Sequence, residues 1–245
     1  MIKVEDLVKE YGSLRAVDKL SFDIKKGEIL GLVGPNGAGK TTTLRCMVGI
    51  IPPSAGQIFI AGYDLLKQPI DAKQRLAFIP DEPRLFDYLT VWDHILLFSR
   101  LYGVTDGHLR GGELLQEFDL FEKRDAFPSE LSRGMKQKAV IALALLHRPE
   151  VLILDEPLTG LDPTAMHKMK QTISKTAAQG VSVVVSSHML DLIEEISSSI
   201  IIIQKGKKLL EGSMDVIRKA VPDLTDSADL EDIFIRATNN ERNHE

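Results

Sequence analysis

With 245 residues, 44% of them hydrophobic, the chain can bury a sizeable core in one large domain or in a domain with a smaller inserted lobe, which excludes wholesale disorder. Lys and Arg total 30 against 35 Asp and Glu, a net charge of −5, so no global basic field draws the protein to nucleic acid. The single cysteine, Cys46, excludes an internal disulfide and a cysteine-cluster zinc site and fits a reducing cytosol.

From Ile2 to about Tyr63 the chain carries short β-like runs, IKVEDLV, LSFDI, EILGLVG and GQIFIAG, separated by Gly-bearing turns. This part is expected to be mostly sheet, an antiparallel N-terminal β subdomain. Between about 83 and 148 the pattern turns helical: VWDHILLFSRLYG and MKQKAVIALALLHR place apolar residues three and four apart, which predicts an inserted α-helical lobe. Beyond it, VLILD, VSVVVSS and IIIIQ are almost wholly apolar runs rich in Val and Ile. They alternate with helical stretches near Pro163–Ala178 and Met189–Ile196, the mark of strands buried on both faces of a mainly parallel sheet. The fold class is α/β. The main domain is expected to span 1–222, followed over 223–245 by a polar tail whose LEDIFIRA segment reads as a short helix. No run approaches the roughly 18 to 20 apolar residues of a membrane helix, and the N-terminus lacks the build of a signal peptide, so the chain is expected to be soluble by itself.

The segment GPNGAGKT, Gly34 to Thr41, fits G-x-x-x-x-G-K-[ST], with the strand EILGLV before it and the helical TTLRCMVGI after it. Gly34, Gly37 and Gly39, with Pro35, Asn36 and Ala38 between them, let backbone N–H groups close around phosphate oxygens. Lys40 adds a point charge, Thr41 offers a hydroxyl to Mg²⁺, and Thr42 continues the helix N-terminus with its positive dipole end. A second signal, VLILDEP, sets Asp155 and Glu156 at the lip of the sheet, where ligands of such sheets collect. Taken alone these are surface acids before Pro157. With a phosphate loop expected on a neighbouring strand, Asp155 can hold hydrated Mg²⁺ and Glu156 can polarise an attacking water. His188 follows a third buried run and is a candidate for the terminal phosphate.

GPNGAGKTT, LSRGM, VLILDEP, GLDP (Gly160 to Pro163) and His188 occur in the order found in ATP-binding cassette ATPases, and the chain resembles that family over roughly Ile2 to Glu211. The resemblance implies a P-loop NTPase core that hydrolyses ATP with Mg²⁺ as a dimer, identical chains or not. It implies that Tyr11 stacks on adenine, that Asp162 links the two active sites, and that Ser132 and Gly134 of one protomer meet the γ-phosphate of ATP held by the other. Separate transmembrane permease subunits would be the partners, docking between the helical lobe and the Asp81 loop and holding the protein at the cytoplasmic face of the membrane. The closest resemblance is to a bacterial exporter-type branch. Two departures stand out. LSRGM has Arg133 and Met135 where the family usually has Gly and Gln, and AFIPDEPRLF offers Asp81 where a glutamine that senses Mg²⁺ is common. Asp81 can still ligate Mg²⁺ as a hard oxygen donor but cannot donate an amide hydrogen bond. The competing readings are a soluble ATPase of the same superfamily without a membrane partner, and a regulatory module that binds nucleotide without hydrolysing it. The first would more often bring a second cassette or basic arms, and the second is opposed by Lys40, Asp155, Glu156 and His188 together.

Overall fold

Hydrophobic alternation in the first 60 residues folds as expected into an antiparallel sheet. In the computed structural model, which describes residues 1–159, 161–221 and 228–240, β1 (Ile2–Tyr11) pairs with β2 (Leu14–Ile24) and with β4 (Ala55–Ile60), and β5 (Tyr63–Asp64) extends the edge in the order β2-β1-β4-β5. Between β2 and β4 the chain leaves this sheet. It forms β3 (Ile29–Val33), the phosphate-loop segment and α1 (Lys40–Met47). A short α2 (Pro69–Lys73) precedes β6 (Leu76–Ile79). The helices α3 (Val91–Leu101), α4 (Gly107–Glu117) and α5 (Arg133–Leu146) follow, with 3-10 turns at Phe121–Lys123 and Pro128–Glu130. The last part runs β7 (Val151–Asp155), α6 (Pro163–Ala178), β8 (Ser182–Ser186), α7 (Leu190–Ile196), β9 (Ser199–Gln204), β10 (Lys207–Gly212), α8 (Met214–Ala220) and α9 (Leu230–Asn240).

The second sheet has the order β10-β9-β3-β8-β7-β6, parallel except for the β9–β10 hairpin. Its apolar runs are explained by the two cores it separates. Ile29, Val33, Leu152, Leu154, Val183, Val185, Ile200 and Ile202 face the helices, whereas Leu30, Leu32, Val151, Ile153, Val184, Ile201 and Ile203 face α1 and the antiparallel sheet. Alternate residues enter different cores, which confines the polar side chains of β7, β8 and β9 to the strand ends, Asp155, Ser182, Ser186, Ser199 and Gln204. One expectation needs correcting: the phosphate-loop strand β3 and the Asp155 strand β7 are not neighbours, because β8 lies between them. The crossovers through α6 and α7 bring β8 to the centre, so its end stands between the other two.

The lobe of α3, α4 and α5 is continuous with the helix-side core, with Ile95, Leu114, Leu115 and Ile141 in one cluster with the strand residues. Helix α4 was not anticipated in detail, since GHLRGGELLQE has three glycines and a poor helical propensity. Close packing explains them: a Cβ at Gly111 would stand 2.2 Å from Ile95 Cγ2, and one at Gly107 would meet the Ser99 hydroxyl at 2.0 Å. Helix α3 starts with a capping box, Thr90 Oγ1 accepting from Asp93 N–H while Asp93 accepts from Thr90 N–H. In its first turn the buried His94 accepts from Phe86 N–H at 2.8 Å through Nε2, which leaves Nδ1–H to donate to Thr90 O at 2.7 Å. That pair of bonds ties the 81–90 loop to the lobe. The expected tail helix is α9, its first N–H bonded by Glu194 of α7; the domain boundary expected near Pro222 lies outside the described residues. No described helix is long and apolar enough to cross a membrane.

Candidate functional site

Three parallel strands end at one lip of the sheet, and each delivers a different kind of group. β3 delivers the loop Gly34–Gly39. Ala38 is buried and its carbonyl accepts from Gly206 N–H at 2.9 Å, which anchors the loop to the β9–β10 turn. Gly39, the N-terminal cap of α1, has φ +105°, and a Cβ there would lie 2.4 Å from Ala16 O. Only glycine meets both demands. Pro35, Asn36 and Gly37 are exposed, so the loop's free face looks outward. Lys40 is buried, and its ammonium donates to Gly34 O at 2.5 Å and to Pro35 O at 3.2 Å. Burial pulls its pKa below the ordinary lysine value, against the opposing pull of Glu156 and Asp155.

β7 delivers the acids and β8 fixes them. Asp155 pairs in register with Ser186, and the Ser186 hydroxyl donates to Asp155 Oδ1 at 2.5 Å. Thr41 Oγ1 donates to the same oxygen at 3.5 Å, so the phosphate-loop hydroxyl and the strand-end carboxylate converge on one point. Glu156 turns away with φ +48°, a left-handed conformation that costs a non-glycine residue about 1–2 kcal/mol. Its N–H donates to Ser186 O at 3.0 Å. Its Oε2 accepts from His188 Nδ1–H at 2.7 Å, from His188 N–H at 3.2 Å and from the Ser187 hydroxyl at 3.3 Å. The carboxylate fixes the proton on Nδ1. Ser186 and Ser187 were missed in the sequence, and the only signal available was their position immediately before His188.

Thr41, Asp155, Glu156 and Asp81 line one cavity of about 710 Å³, together with Arg45 and Arg84. Among the described residues no three His, Cys, Asp or Glu side chains gather to hold a metal by themselves. Thr41 and Asp155 instead offer one hydroxyl and one carboxylate at the helix N-terminus. That donor set fits Mg²⁺, which is normally held by one or two carboxylates, waters and substrate phosphates.

The remaining candidates stand elsewhere. Ser132 and Gly134 do not line this cavity; Ser132 caps α5, its Oγ accepting from Met135 N–H at 3.3 Å, and Gly134 lies in the first turn. The first turn of α5 contains no acid, and Arg133 reaches Asp81 at 3.7 Å. Gln137, buried in the same helix, donates to Pro157 O at 3.5 Å just after the acidic pair. Asp162 caps α6 by accepting from Ala165 N–H at 2.9 Å; Gly160 lies outside the described residues. Tyr11 ends β1 half-exposed, with Lys9 Nζ 5.1 Å from its ring centre.

Comparisons with known proteins agree with this geometry. The profile of the ABC transporter family matches residues 17–159. The Nod factor export ATP-binding protein I of Burkholderia orbicola (strain AU 1054) is 38% identical over 214 residues, covering 86% of this chain and 70% of the relative. A solved structure described as the ATP binding subunit of an ABC transporter superposes with a TM-score of 0.92 at 33% identity, covering 97% of this chain and 99% of that one. The dimeric structure of a bacterial ABC transporter cassette gives 0.79 at 25% identity, over 87% of this chain and 99% of the other. A nucleotide loop, an acidic strand end and a strand-end histidine in this order, on this sheet and in this company of relatives, lead to one conclusion: the chain belongs to the ABC transporter family.

Proposed function

We infer that the protein hydrolyses ATP between two copies of the cassette, or between this chain and a second ATPase subunit, and that this powers export through separate transmembrane subunits. One observation carries the reading: Lys40 and Thr41, Asp155, and Glu156 with His188 are delivered to one lip by three strands, with hydrogen bonds that fix each of them. Lys40 exchanges the Gly34 and Pro35 carbonyls for phosphate oxygens, and the N–H groups of Gly37, Gly39, Thr41 and Thr42 complete the cradle. Thr41 and Asp155, with Asp81 across the cavity, are the residues that would hold Mg²⁺. When bound, the ion neutralises charge on the phosphates. Glu156 accepts the proton of the attacking water, and His188 keeps it oriented until then. Nε2 of the same ring is left for a γ-phosphate oxygen.

The signature turn supplies the opposite wall. The Ser132 oxygen is occupied as a helix cap, but its O–H proton remains free to donate, and the α5 N-terminus favours an anion. Since Ser132 and Gly134 do not share the cavity of their own chain, their natural target is ATP held by the partner, with Asp162 between the two sites and Tyr11 under the adenine. Enclosing ATP between two chains excludes water and strengthens each fixed dipole. The membrane partner fits the groove between α5 and the Asp81 loop, lined by Phe78, Phe98, Tyr102 and His147. Such a partner holds the protein peripherally on the cytoplasmic face.

Replacing Glu156 by Gln tests the assignment. Turnover is expected to stop while ATP binding persists and the closed dimer accumulates; unchanged phosphate release removes Glu156 from its role. Mixed dimers of Ser132→Ala and Lys40→Ala chains are expected to regain one working site, which a site confined to one chain cannot do. Copurification in mild detergent tests the membrane partner.

A further inference from the structure

Two of the three positions where the chain departs from its family's usual residues, Arg133 and Asp81, form an ion pair with each other. Arg133, first residue of α5, places a guanidinium nitrogen 3.7 Å from Asp81 Oδ1, across the boundary between the helical lobe and the loop after β6. A neutral residue at either position could not form this pair. We propose that Arg133 is a two-position phosphate-binding residue, held in the free protomer by the Asp81 carboxylate of its own chain and transferred in the closed dimer to the phosphates of the partner's ATP. The proposal rests on the two-chain site argued above.

Geometry and magnitudes both favour an exchange. Arg133 is flanked by the cap Ser132 and by Gly134, the two residues assigned to the partner's phosphate, so whatever carries them there carries the guanidinium too. The turn has no carboxylate of its own, and its Lys136 adds to the positive helix end, so without an outside anion the cations would repel each other. Asp81 supplies that anion from the other side of the boundary. Both partners are about half exposed, at 52% and 48%. A pair of that kind shifts an equilibrium by at most about fivefold. A guanidinium bonded to phosphate oxygens in a water-excluded site is worth about ten- to hundredfold. The carboxylate therefore holds the turn without trapping it, and ATP presented by a partner wins. Asp81 stands two residues past Ile79, the last residue of β6, so its backbone is held by the core sheet and cannot simply follow the lobe.

The test is ATP-driven dimerisation of the Glu156→Gln protein, measured by sedimentation at saturating ATP, with residues 81 and 133 changed singly and together. Arg133→Gln is expected to weaken the dimer about tenfold or more. Compared with its effect in the Arg133→Gln background, which shares any loss of Mg²⁺ binding at Asp81, Asp81→Asn is expected to favour the dimer by up to about fivefold while Arg133 is present. Equal effects of Asp81→Asn with and without Arg133, or a dimer indifferent to residue 133, overturn the proposal. Failure of the parent to dimerise with ATP sinks the two-chain reading itself and the phosphate half of this one. The hold within one chain has its own readout without nucleotide. Spin labels at Ile70→Cys and Leu109→Cys, both exposed, report the spacing of core and lobe, and the buried Cys46 stays out of reach of the label. Arg133→Gln and Asp81→Asn should broaden that distance alike, and the double variant no further. A distance unchanged in both overturns the hold.

Discussion

Ser186→Ala removes one hydroxyl from the centre of the sheet and should damage catalysis well beyond what so small a change suggests. Ser186 is completely buried, and its O–H donates to Asp155 Oδ1 at 2.5 Å, within the range of a charge-assisted bond. The other bond to that oxygen, from Thr41, is long at 3.5 Å and cannot replace it. Losing a hydrogen bond to a buried charge costs about 1.5–3 kcal/mol. If the loss appears fully in the transition state, kcat falls about ten- to hundredfold. Unfolding in urea should show a drop of similar size, because Asp155 is left under-satisfied in the folded state. A further sign separates orientation from general damage: a misdirected Asp155 should raise the Mg²⁺ concentration needed for half-maximal hydrolysis while the ATP KM changes little. Ser187→Ala is the internal control. Its bond to Glu156 is longer, at 3.3 Å, and Glu156 Oε2 keeps both donors of His188, so the effect should stay within severalfold with unchanged Mg²⁺ dependence. A Ser186→Ala enzyme with kcat within twofold of the parent and an unchanged urea midpoint would falsify the reasoning.

Burial pushes the Cys46 thiol up to about 11 from its ordinary 9.0, against a smaller opposing pull from Lys9. The unfolded chain therefore loses this proton first as pH rises. Stability should fall between pH 9 and pH 11 by up to about 2–3 kcal/mol, and Cys46→Ala should flatten that slope in a urea series; an unchanged slope refutes the assignment. Gly111→Ala forces a methyl against the fully buried Ile95 and should cost about 1–3 kcal/mol in thermal unfolding, with the lobe loosened and ATP binding retained. Arg110 donates to the Leu145 and Leu146 carbonyls at 2.8 and 2.9 Å, satisfying the end of α5. Arg110→Ala should lower stability by about 1.5–3 kcal/mol and leave the phosphate-loop half of the site intact, measured by urea unfolding beside ATP affinity.

The phosphate loop was legible because its chemistry is local. Closely spaced glycines, a lysine and a threonine between an apolar run and a helical pattern leave few alternatives. The sheet was legible for a related reason: strands buried on both faces must be apolar throughout, so VLILD, VSVVVSS and IIIIQ declared themselves. Their order in space did not. Nothing in the runs says that β8 separates β3 from β7, because spatial order is set by the crossovers. The pairing of Asp155 with Ser186 depends on that order, so the serines that fix the acids could not be chosen from the sequence. Helix α4 was obscured by glycines that lower propensity but permit close packing on α3, where the tertiary contact overrides the local preference. Arg133 and Asp81 were each noticed as departures, and only the fold joins them, since 52 positions separate residues that meet at a boundary.

The two halves of the catalytic arrangement are built to different rigidities. Asp155, Ser186, Lys40 and the Gly39 cap sit on strands or on a loop pinned to backbone carbonyls, at the junction of two cores, so their positions are over-determined. Ser132, Arg133 and Gly134 ride on a lobe tied to the rest of the chain by long hydrogen bonds, Gln137 to Pro157 O at 3.5 Å and His147 to Leu76 O at 3.3 Å, and by exposed ion pairs: Arg133 with Asp81, Lys168 with Asp119, and Lys175 with Glu117. Pairs of that kind contribute little and break easily, particularly at higher ionic strength. Such a division suits an enzyme whose chemistry must wait for a second chain. On the proposed two-chain mechanism, the half that would hold ATP is fixed beforehand, and the lobe that would complete the partner's site joins it through a shared apolar core and weak polar ties. The left-handed Glu156 belongs to the fixed half, and its strain is tolerated because Ser186, Ser187 and His188 together hold it. On that mechanism, a carboxylate held by three donors stays fixed in place until the opposite wall arrives.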